Sequence, residues 1–212
     1  RVAEAGYPVL RFDRRGIGDS TGTNQGFEST AEDIAAAASA FRSAGVTRIV
    51  AYGNCDAATA LAFFHAQAKV DALLLANPWS IESTDDLPPA AAIRSHYAQR
   101  LKDPKEWLRL IRGGVNIAKV IKGLSKASKK QSQAPQSLAA RLGAALASGP
   151  PTTILLANGD NTAIAFADAF KGAAFEAARA RVQLETLDSD SHSFASIEDK
   201  NWLFERVLAA LA

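Results

Sequence analysis

The 212-residue sequence is poor in the residues that several kinds of protein chemistry require. Its one cysteine cannot form an internal disulfide, so nothing indicates an oxidising compartment, and we expect a cytoplasmic protein. No apolar run reaches the roughly 18 residues of a membrane-spanning helix, which argues against stable membrane insertion. The formal net charge of +2 gives no reason to expect a nucleic acid partner.

The sequence also contains no methionine and begins with Arg1. A translated gene normally starts with methionine, so we expect a fragment or a processed product, and a preceding signal peptide stays an open question. What is present is apolar: 48% of the residues are hydrophobic. That fraction predicts a folded domain with a real core rather than a disordered chain.

Short apolar runs alternate with stretches of helical composition along most of the chain. This order predicts an α/β fold, with a mostly parallel sheet flanked by helices and right-handed crossovers. The predicted strands are residues 7–12, 48–52, 70–76, 152–157 and 182–186. The predicted helices are a segment that starts at a Ser29–Glu32 capping box and runs to Ser43, and residues 58–68, 163–180 and 199–212.

One long segment, residues 81–150, carries helical pattern but no strand pattern. It interrupts the alternation of strands and helices, and we interpret it as a helical lid inserted above the strand ends. The two flanking segments, residues 1–80 and 151–212, are then the two parts of one core.

The single cysteine lies in the sequence Gly-Asn-Cys-Asp-Ala, between a predicted strand and a predicted helix. A nucleophile at such a junction sits on a sharp turn, which requires small residues two positions before and after it, here Gly53 and Ala57. The helix N-terminus favours the Cys55 thiolate, and the backbone N–H of Asp56 is placed to bind an oxyanion. The alternative, a cysteine that only fills space in the core, is less favoured by this position.

Two further polar residues follow predicted strands, in the order in which an acid and a histidine complete a catalytic triad on such a sheet. Asp160 follows the fourth predicted strand and His192 the fifth. Each alone is weak support, because Asp160 also suits a turn and His192 an ordinary surface position. Functional sites in open α/β sheets form where strands end, so together they predict a Cys–His–Asp triad. The other histidines, His65 and His96, lie in predicted helical segments.

Several longer sequences accompany these residues: RFDRRGIGDS at 11–20, CDAA at 55–58, LLLANPW at 73–79, HYAQRL at 96–101, EWLRLI at 106–111, NGD at 158–160 and HSF at 192–194. With them, the chain resembles a known superfamily, the α/β hydrolases. More narrowly, it resembles the exosortase A system-associated hydrolase 1 family, from near Ala3 to its end.

The resemblance implies an α/β-hydrolase fold with Cys55 as nucleophile, Asp160 as acid and His192 as base. It also implies a bacterial setting beside exopolysaccharide and protein-sorting genes. Superfamily members carry three strands before the helix that ends here at Ala5, and the third normally lies between the first two strands predicted above. We therefore expect a natural protein longer by roughly 50 residues, and a present chain that is destabilised and poorly active.

The predicted activity is hydrolysis of a small-molecule acyl, ester or thioester substrate, or acyl transfer, with no cofactor and no metal. The Asp56 N–H would supply one oxyanion donor and the absent N-terminal segment the second. Asn54, Trp79, His96 and Tyr97 are candidates for the substrate pocket. Two alternatives stay open: a non-catalytic accessory or scaffold protein of this fold, and a dienelactone-hydrolase-like enzyme. The sequence does not determine the oligomeric state.

The glycine-rich segment at residues 13–20 has a structural interpretation. Gly16 and Gly18 permit positive φ in a tight loop, while Asp13 and the two arginines that follow it fasten the loop by hydrogen bonds and ion pairs. The glycine spacing does not match a dinucleotide-binding loop.

Overall fold

A computed structural model describes residues 1–81 and 137–212 of the chain. In these ranges four strands form one parallel sheet in the order β1-β2-β3-β4. The strands are β1 (Val50–Asn54), β2 (Ala72–Ala76), β3 (Thr152–Ala157) and β4 (Val182–Leu187). The predicted α/β architecture is confirmed, and the carboxyl ends of all four strands lie along the same edge of the sheet.

Helices cover both faces of this sheet. They are α1 (Ala31–Ser43), α2 (Asp56–Ala68), α3 (Leu138–Ser148), α4 (Asn161–Phe170), α5 (Glu176–Arg179) and α6 (Ile197–Leu211), with 3₁₀ turns at Phe27–Ser29 and Ala173–Phe175. Within the described ranges, no helix has the length and apolarity that crossing a bilayer requires.

β2 is apolar throughout, and β3 is apolar after its two threonines, as expected for strands that are buried on both faces. Leu73 and Leu75 of β2 belong to the larger core cluster, which includes residues of α1 to α4. Leu74 and Ala76 point to the opposite face, where Phe194 and α6 form a smaller cluster. Successive side chains of β2 point to opposite faces, and both faces are buried. This explains why the run at 70–76 has no polar residue except Asp71.

Two helix predictions differ from the structure by more than one or two residues at an end or in how the helix begins. Helix α1 is capped by Thr30 with no side-chain hydrogen bond, and the Ser29 hydroxyl donates to the Gly26 carbonyl, so the predicted capping box is wrong. The predicted helix at 163–180 is interrupted after Phe170. Gly172 begins a 3₁₀ turn there before α5 follows.

The predicted first strand is also wrong, since residues 7–12 form no strand. Three of their apolar side chains are exposed: Val9 by 58%, Leu10 by 44% and Phe12 by 44%. A strand exists only when its backbone groups pair with a neighbour, and no strand of the described ranges pairs with this segment. β1 is therefore one of the two edge strands of the described sheet, and β4 is the other.

The predicted lid is described only in part, because residues 82–136 lie outside the described residues. The segment that is described forms α3. Leu142 and Leu146 are buried in the larger core cluster, and Gly143 lets the helix approach the Ala174 carbonyl so closely that a Cβ would clash. This end of the predicted insertion therefore packs into the core. The division into core and lid otherwise remains a prediction.

Candidate active site

The turn between β1 and α2 consists of Cys55 alone. Its φ of 60° and ψ of −122° are strained values for a residue with a side chain. Two backbone hydrogen bonds hold it there: the Cys55 N–H donates to the Ala76 carbonyl (2.9 Å), and the Cys55 carbonyl accepts from the Trp79 N–H (3.2 Å). The chain thus keeps Cys55 on the strained turn that a nucleophile needs.

Gly53 allows this turn to be so sharp. A Cβ at this position would lie 2.8 Å from the Ala57 carbonyl carbon and 2.9 Å from both the Ala57 oxygen and the Ala58 nitrogen. All three are backbone atoms of the first turn of α2, which cannot move aside as a flexible side chain could. The sequence argument for a small residue two positions before Cys55 therefore has a physical basis here.

Asp160 and His192 meet at the same edge of the sheet. Asp160 caps α4: its Oδ2 accepts the N–H groups of Thr162 and Ala163, both at 3.0 Å. Its Oδ1 lies 3.1 Å from Nδ1 of His192. The carboxylate is buried and the imidazole about half exposed, so the acid is fixed by its capping role while the ring can still meet a substrate.

Two asparagine side chains hold the backbone of His192. The Nδ2 groups of Asn54 (3.0 Å) and Asn77 (2.9 Å) both donate to the His192 carbonyl. Asn54, predicted to line the substrate pocket, thus also anchors the histidine loop. Sequence reasoning missed Asn77; its only signal is a polar residue directly after a buried strand and before Pro78.

The surroundings of Cys55 favour the neutral thiol. Burial is the main cause that raises the Cys55 pKa, and the carboxylates of Asp56 and Asp160 raise it further, whereas the Asp56 N–H lowers it. The predicted preference for thiolate at the helix N-terminus is thus present but outweighed. Within the described ranges the Cys55 thiol forms no hydrogen bond with the His192 ring. For Cys55 to act as a nucleophile at neutral pH, a base would have to remove the thiol proton.

The loop at residues 13–20 contacts Asp56, the residue that follows Cys55. Arg14 forms an ion pair with Asp56 (3.0 Å), and Arg15 pairs with both carboxylates in the first turn of α1. Gly16 (φ 73°) and Gly18 (φ 55°) adopt the positive φ that was predicted for them. This segment fastens α1 and the start of α2, as its structural interpretation requires.

Of the other predicted pocket residues, Trp79 is partly exposed and is joined to Cys55 by a hydrogen bond between their backbones. The Trp79 carbonyl accepts a hydrogen bond from the Thr59 hydroxyl at 2.7 Å. His96 and Tyr97 lie outside the described residues. Across residues 1–81 and 137–212, no three His, Cys, Asp or Glu side chains group so that they could hold a metal ion.

Comparisons with known proteins agree with the α/β fold described above. The family model described as the alpha/beta hydrolase family matches residues 1–202. The chain belongs to this family. A search of curated proteins found no match. The family match does not extend to the narrower exosortase A-associated family, which remains a prediction.

Solved structures share the alpha/beta hydrolase fold of the chain at low sequence identity. A lipase-esterase related protein from Clostridium acetobutylicum is 13% identical with a TM-score of 0.56, over 93% of this chain and 81% of that one. A proposed aryl esterase from Burkholderia cenocepacia is 14% identical with a TM-score of 0.51, over 94% and 79%. A proposed non-heme bromoperoxidase from Mycobacterium tuberculosis is 15% identical with a TM-score of 0.53, over 95% and 81%.

The turn at Cys55 predicts a specific loss of stability. Gly53→Ala should lower the free energy of unfolding by about 1–3 kcal/mol, because its Cβ would press on the backbone of α2. Urea unfolding followed by circular dichroism measures this. Gly172→Ala is the control: its Cβ would approach one carbonyl oxygen at 3.1 Å, so a smaller loss is expected. Equal losses in the two variants would mean that Gly53 is not specially required.

The raised Cys55 pKa predicts slow alkylation at neutral pH. The rate of reaction with iodoacetamide should rise with pH and reach its midpoint above the ordinary thiol value of 9.0. Cys55 is the only cysteine, so the reagent reports on this thiol alone. Asp56→Asn should shift the midpoint downward by removing a neighbouring negative charge, while Glu176→Gln on α5 should leave it in place. A wild-type midpoint below pH 8 would contradict this account of the thiol.

Proposed function

We propose that this protein is a cysteine-dependent hydrolase that cleaves esters or thioesters, or transfers their acyl group. The observation that carries the proposal is the Asp160–His192 contact of 3.1 Å at the sheet edge where the strained Cys55 turn also lies. An acid fixed by a helix cap, an imidazole with one nitrogen held by that acid, and a nucleophile on a sharp turn are the parts of an acyl-transfer site.

In the proposed reaction, His192 acts first as a base. Because the Cys55 pKa is raised, the thiol does not ionise by itself at neutral pH, and Nε2 of His192 takes its proton as the sulfur attacks the substrate carbonyl carbon. Asp160 keeps Nδ1–H in place and stabilises the positive imidazolium. The Asp56 N–H donates to the oxygen on which negative charge develops.

The remaining steps complete the proton balance. The tetrahedral intermediate collapses, the C–O or C–S bond of the substrate breaks, and His192 returns its proton to the leaving alcohol or thiol. The acyl group is then bound to Cys55 as a thioester. Water, deprotonated by His192, attacks this thioester; the C–S bond to Cys55 breaks, the carboxylic acid leaves, and His192 returns the proton to the Cys55 sulfur. Another acceptor in place of water would give acyl transfer.

The substrate class follows from the nucleophile. A thiol suits activated esters, thioesters and lactones better than amides, so we propose a small acyl compound. The fold similarity to a lipase-esterase related protein fits that class. Association with exopolysaccharide and exosortase systems, and a cytoplasmic location, rest on the sequence alone.

A second candidate is a non-catalytic accessory protein that keeps the hydrolase fold. Two observations favour it: the raised Cys55 pKa, and the absence within the described ranges of a hydrogen bond between the Cys55 thiol and the His192 ring. A dienelactone-hydrolase-like reaction is a variant of the first candidate, since it also uses a cysteine. The catalytic candidates require a covalent acyl adduct on Cys55, and the accessory candidate does not.

The proposal predicts acylation of Cys55. Incubation with p-nitrophenyl acetate, followed by intact-protein mass spectrometry, should show one acetyl adduct. Cys55→Ala should abolish it, because the attacking sulfur is gone. His192→Gln and Asp160→Asn should slow its formation at least about 100-fold, the lower range for loss of acid–base catalysis.

His65→Gln is the matched control, because His65 lies on α2 and its Nδ1 contacts the Ala62 carbonyl rather than the site. It should acylate at the wild-type rate. An adduct that persists in Cys55→Ala would reject the assigned nucleophile. If a folded wild-type chain forms no adduct with esters or with thioesters, the accessory role replaces the proposal.

A further inference from the structure

Asn77 is a buried polar residue to which the proposed reaction assigns no role. It follows β2, is fully buried and has a positive φ of 42°. Its N–H donates to the Leu155 carbonyl (2.9 Å), and its Oδ1 accepts the Ala157 N–H (2.9 Å). Its Nδ2 donates to the His192 carbonyl (2.9 Å) and lies 3.4 Å from Oδ1 of Asn54. Every hydrogen-bonding group of the side chain is thus directed at the site or at the strand beside it.

These bonds place Asn77 among the backbone positions that carry all three proposed catalytic residues. The preceding residue, Ala76, accepts the hydrogen bond from the Cys55 N–H. Ala157, whose N–H reaches the Asn77 side chain, accepts in turn from the Asp160 N–H (2.9 Å). The third connection is the direct bond to His192. Displacement of Asn77 would therefore shift the positions of the proposed nucleophile, acid and base together.

We propose that Asn77, together with Asn54, is a positioning residue that fixes His192 for the proposed acyl chemistry. This inference rests on the proposed function. His192 lies in a loop and its ring, which contacts Asp160, is half exposed, so hydrogen bonds to its backbone are needed to hold the loop in place. Its carbonyl has two lone pairs, and the two amide groups occupy both. Buried hydrogen bonds of this kind are strong because little water competes for them.

The bond to His192 matters for the ring as well as for the loop. The imidazole must keep Nδ1 towards Asp160 while Nε2 meets the thiol and the leaving group. A shift of about 1 Å in such a group can slow a reaction about 100-fold. A carbonyl clamped from two sides limits rotation of the His192 backbone, and so limits that shift.

A variant at Asn54 can distinguish a role in positioning His192 from a role in stabilising the sheet. Both side chains donate to the same carbonyl, but Asn54 comes from β1 and its side chain makes no bond to β3 among those found in the described ranges. Asn54→Ala therefore removes one donor and leaves the β2–β3 pairing intact. Asn77→Gly removes the other donor while tolerating the positive φ. Leu142→Ala, in the core at α3, is a control for loss of stability alone.

The test combines acylation rates with a spectroscopic signal that does not need activity. Proton NMR in water should show a downfield Nδ1–H resonance from His192, assigned by its disappearance in His192→Gln. In Asn54→Ala and Asn77→Gly we expect this resonance to broaden through solvent exchange, and Cys55 acylation to slow about 10- to 100-fold. Acylation in the double variant should be slowed by less than the product of the two single-variant factors, because both donors act on one carbonyl. Leu142→Ala should lower Tm but keep both the sharp Nδ1–H resonance and the wild-type acylation rate.

The outcomes separate the positioning role from the proposed function. If both asparagine variants keep the resonance and acylate within threefold of Leu142→Ala, the positioning role is rejected. If Asn77→Gly does not fold, Asn54→Ala decides by the same two criteria. If the wild-type protein does not acylate but the resonance is lost in the asparagine variants, the positioning of His192 stands while the proposed function fails.

Discussion

Parallel pairing of the strands is the constraint on which the rest of this structure depends. Because β1 to β4 run in the same direction and in continuous register, their carboxyl ends meet along one edge, and every loop that leaves them begins there. Cys55, Asn77, Asp160 and His192 come from the ends of four different strands and are up to 137 positions apart in sequence. No local interaction would bring them together; the sheet does so, and short loops then set their orientation.

Groups that stabilise the fold also orient the candidate site. The Asp160 carboxylate caps α4 with one oxygen and contacts His192 with the other, so the helix start and the acid are fixed by one side chain. The strained φ of Cys55 persists because Gly53 lets α2 approach β1 and because two backbone hydrogen bonds hold the turn. Stability and geometry are thus coupled at these positions.

The sequence predicts the parts of this arrangement that depend on local pattern. Apolar runs identify β2 and β3, and the small residue at Gly53 identifies the turn at Cys55. Local pattern does not predict structure that depends on a partner distant in sequence. Residues 7–12 have strand composition, yet no strand of the described ranges pairs with them. Asn77 was missed for the same reason, since its role lies in bonds to residues 78 to 115 positions away. The helix N-terminus favours the Cys55 thiolate as predicted, but burial and two carboxylates outweigh it and raise the pKa, and burial cannot be inferred from adjacent residues.

The central claim is that Cys55, Asp160 and His192 act as one acyl-transfer site at the sheet edge. A crystal structure of the protein after reaction with an acylating probe tests it most directly. The account predicts a thioester on Cys55, with its carbonyl oxygen about 3 Å from the Asp56 N–H and the His192 ring beside the acyl carbon. An adduct whose carbonyl points away from that N–H, with His192 turned from the acyl group, would contradict the account.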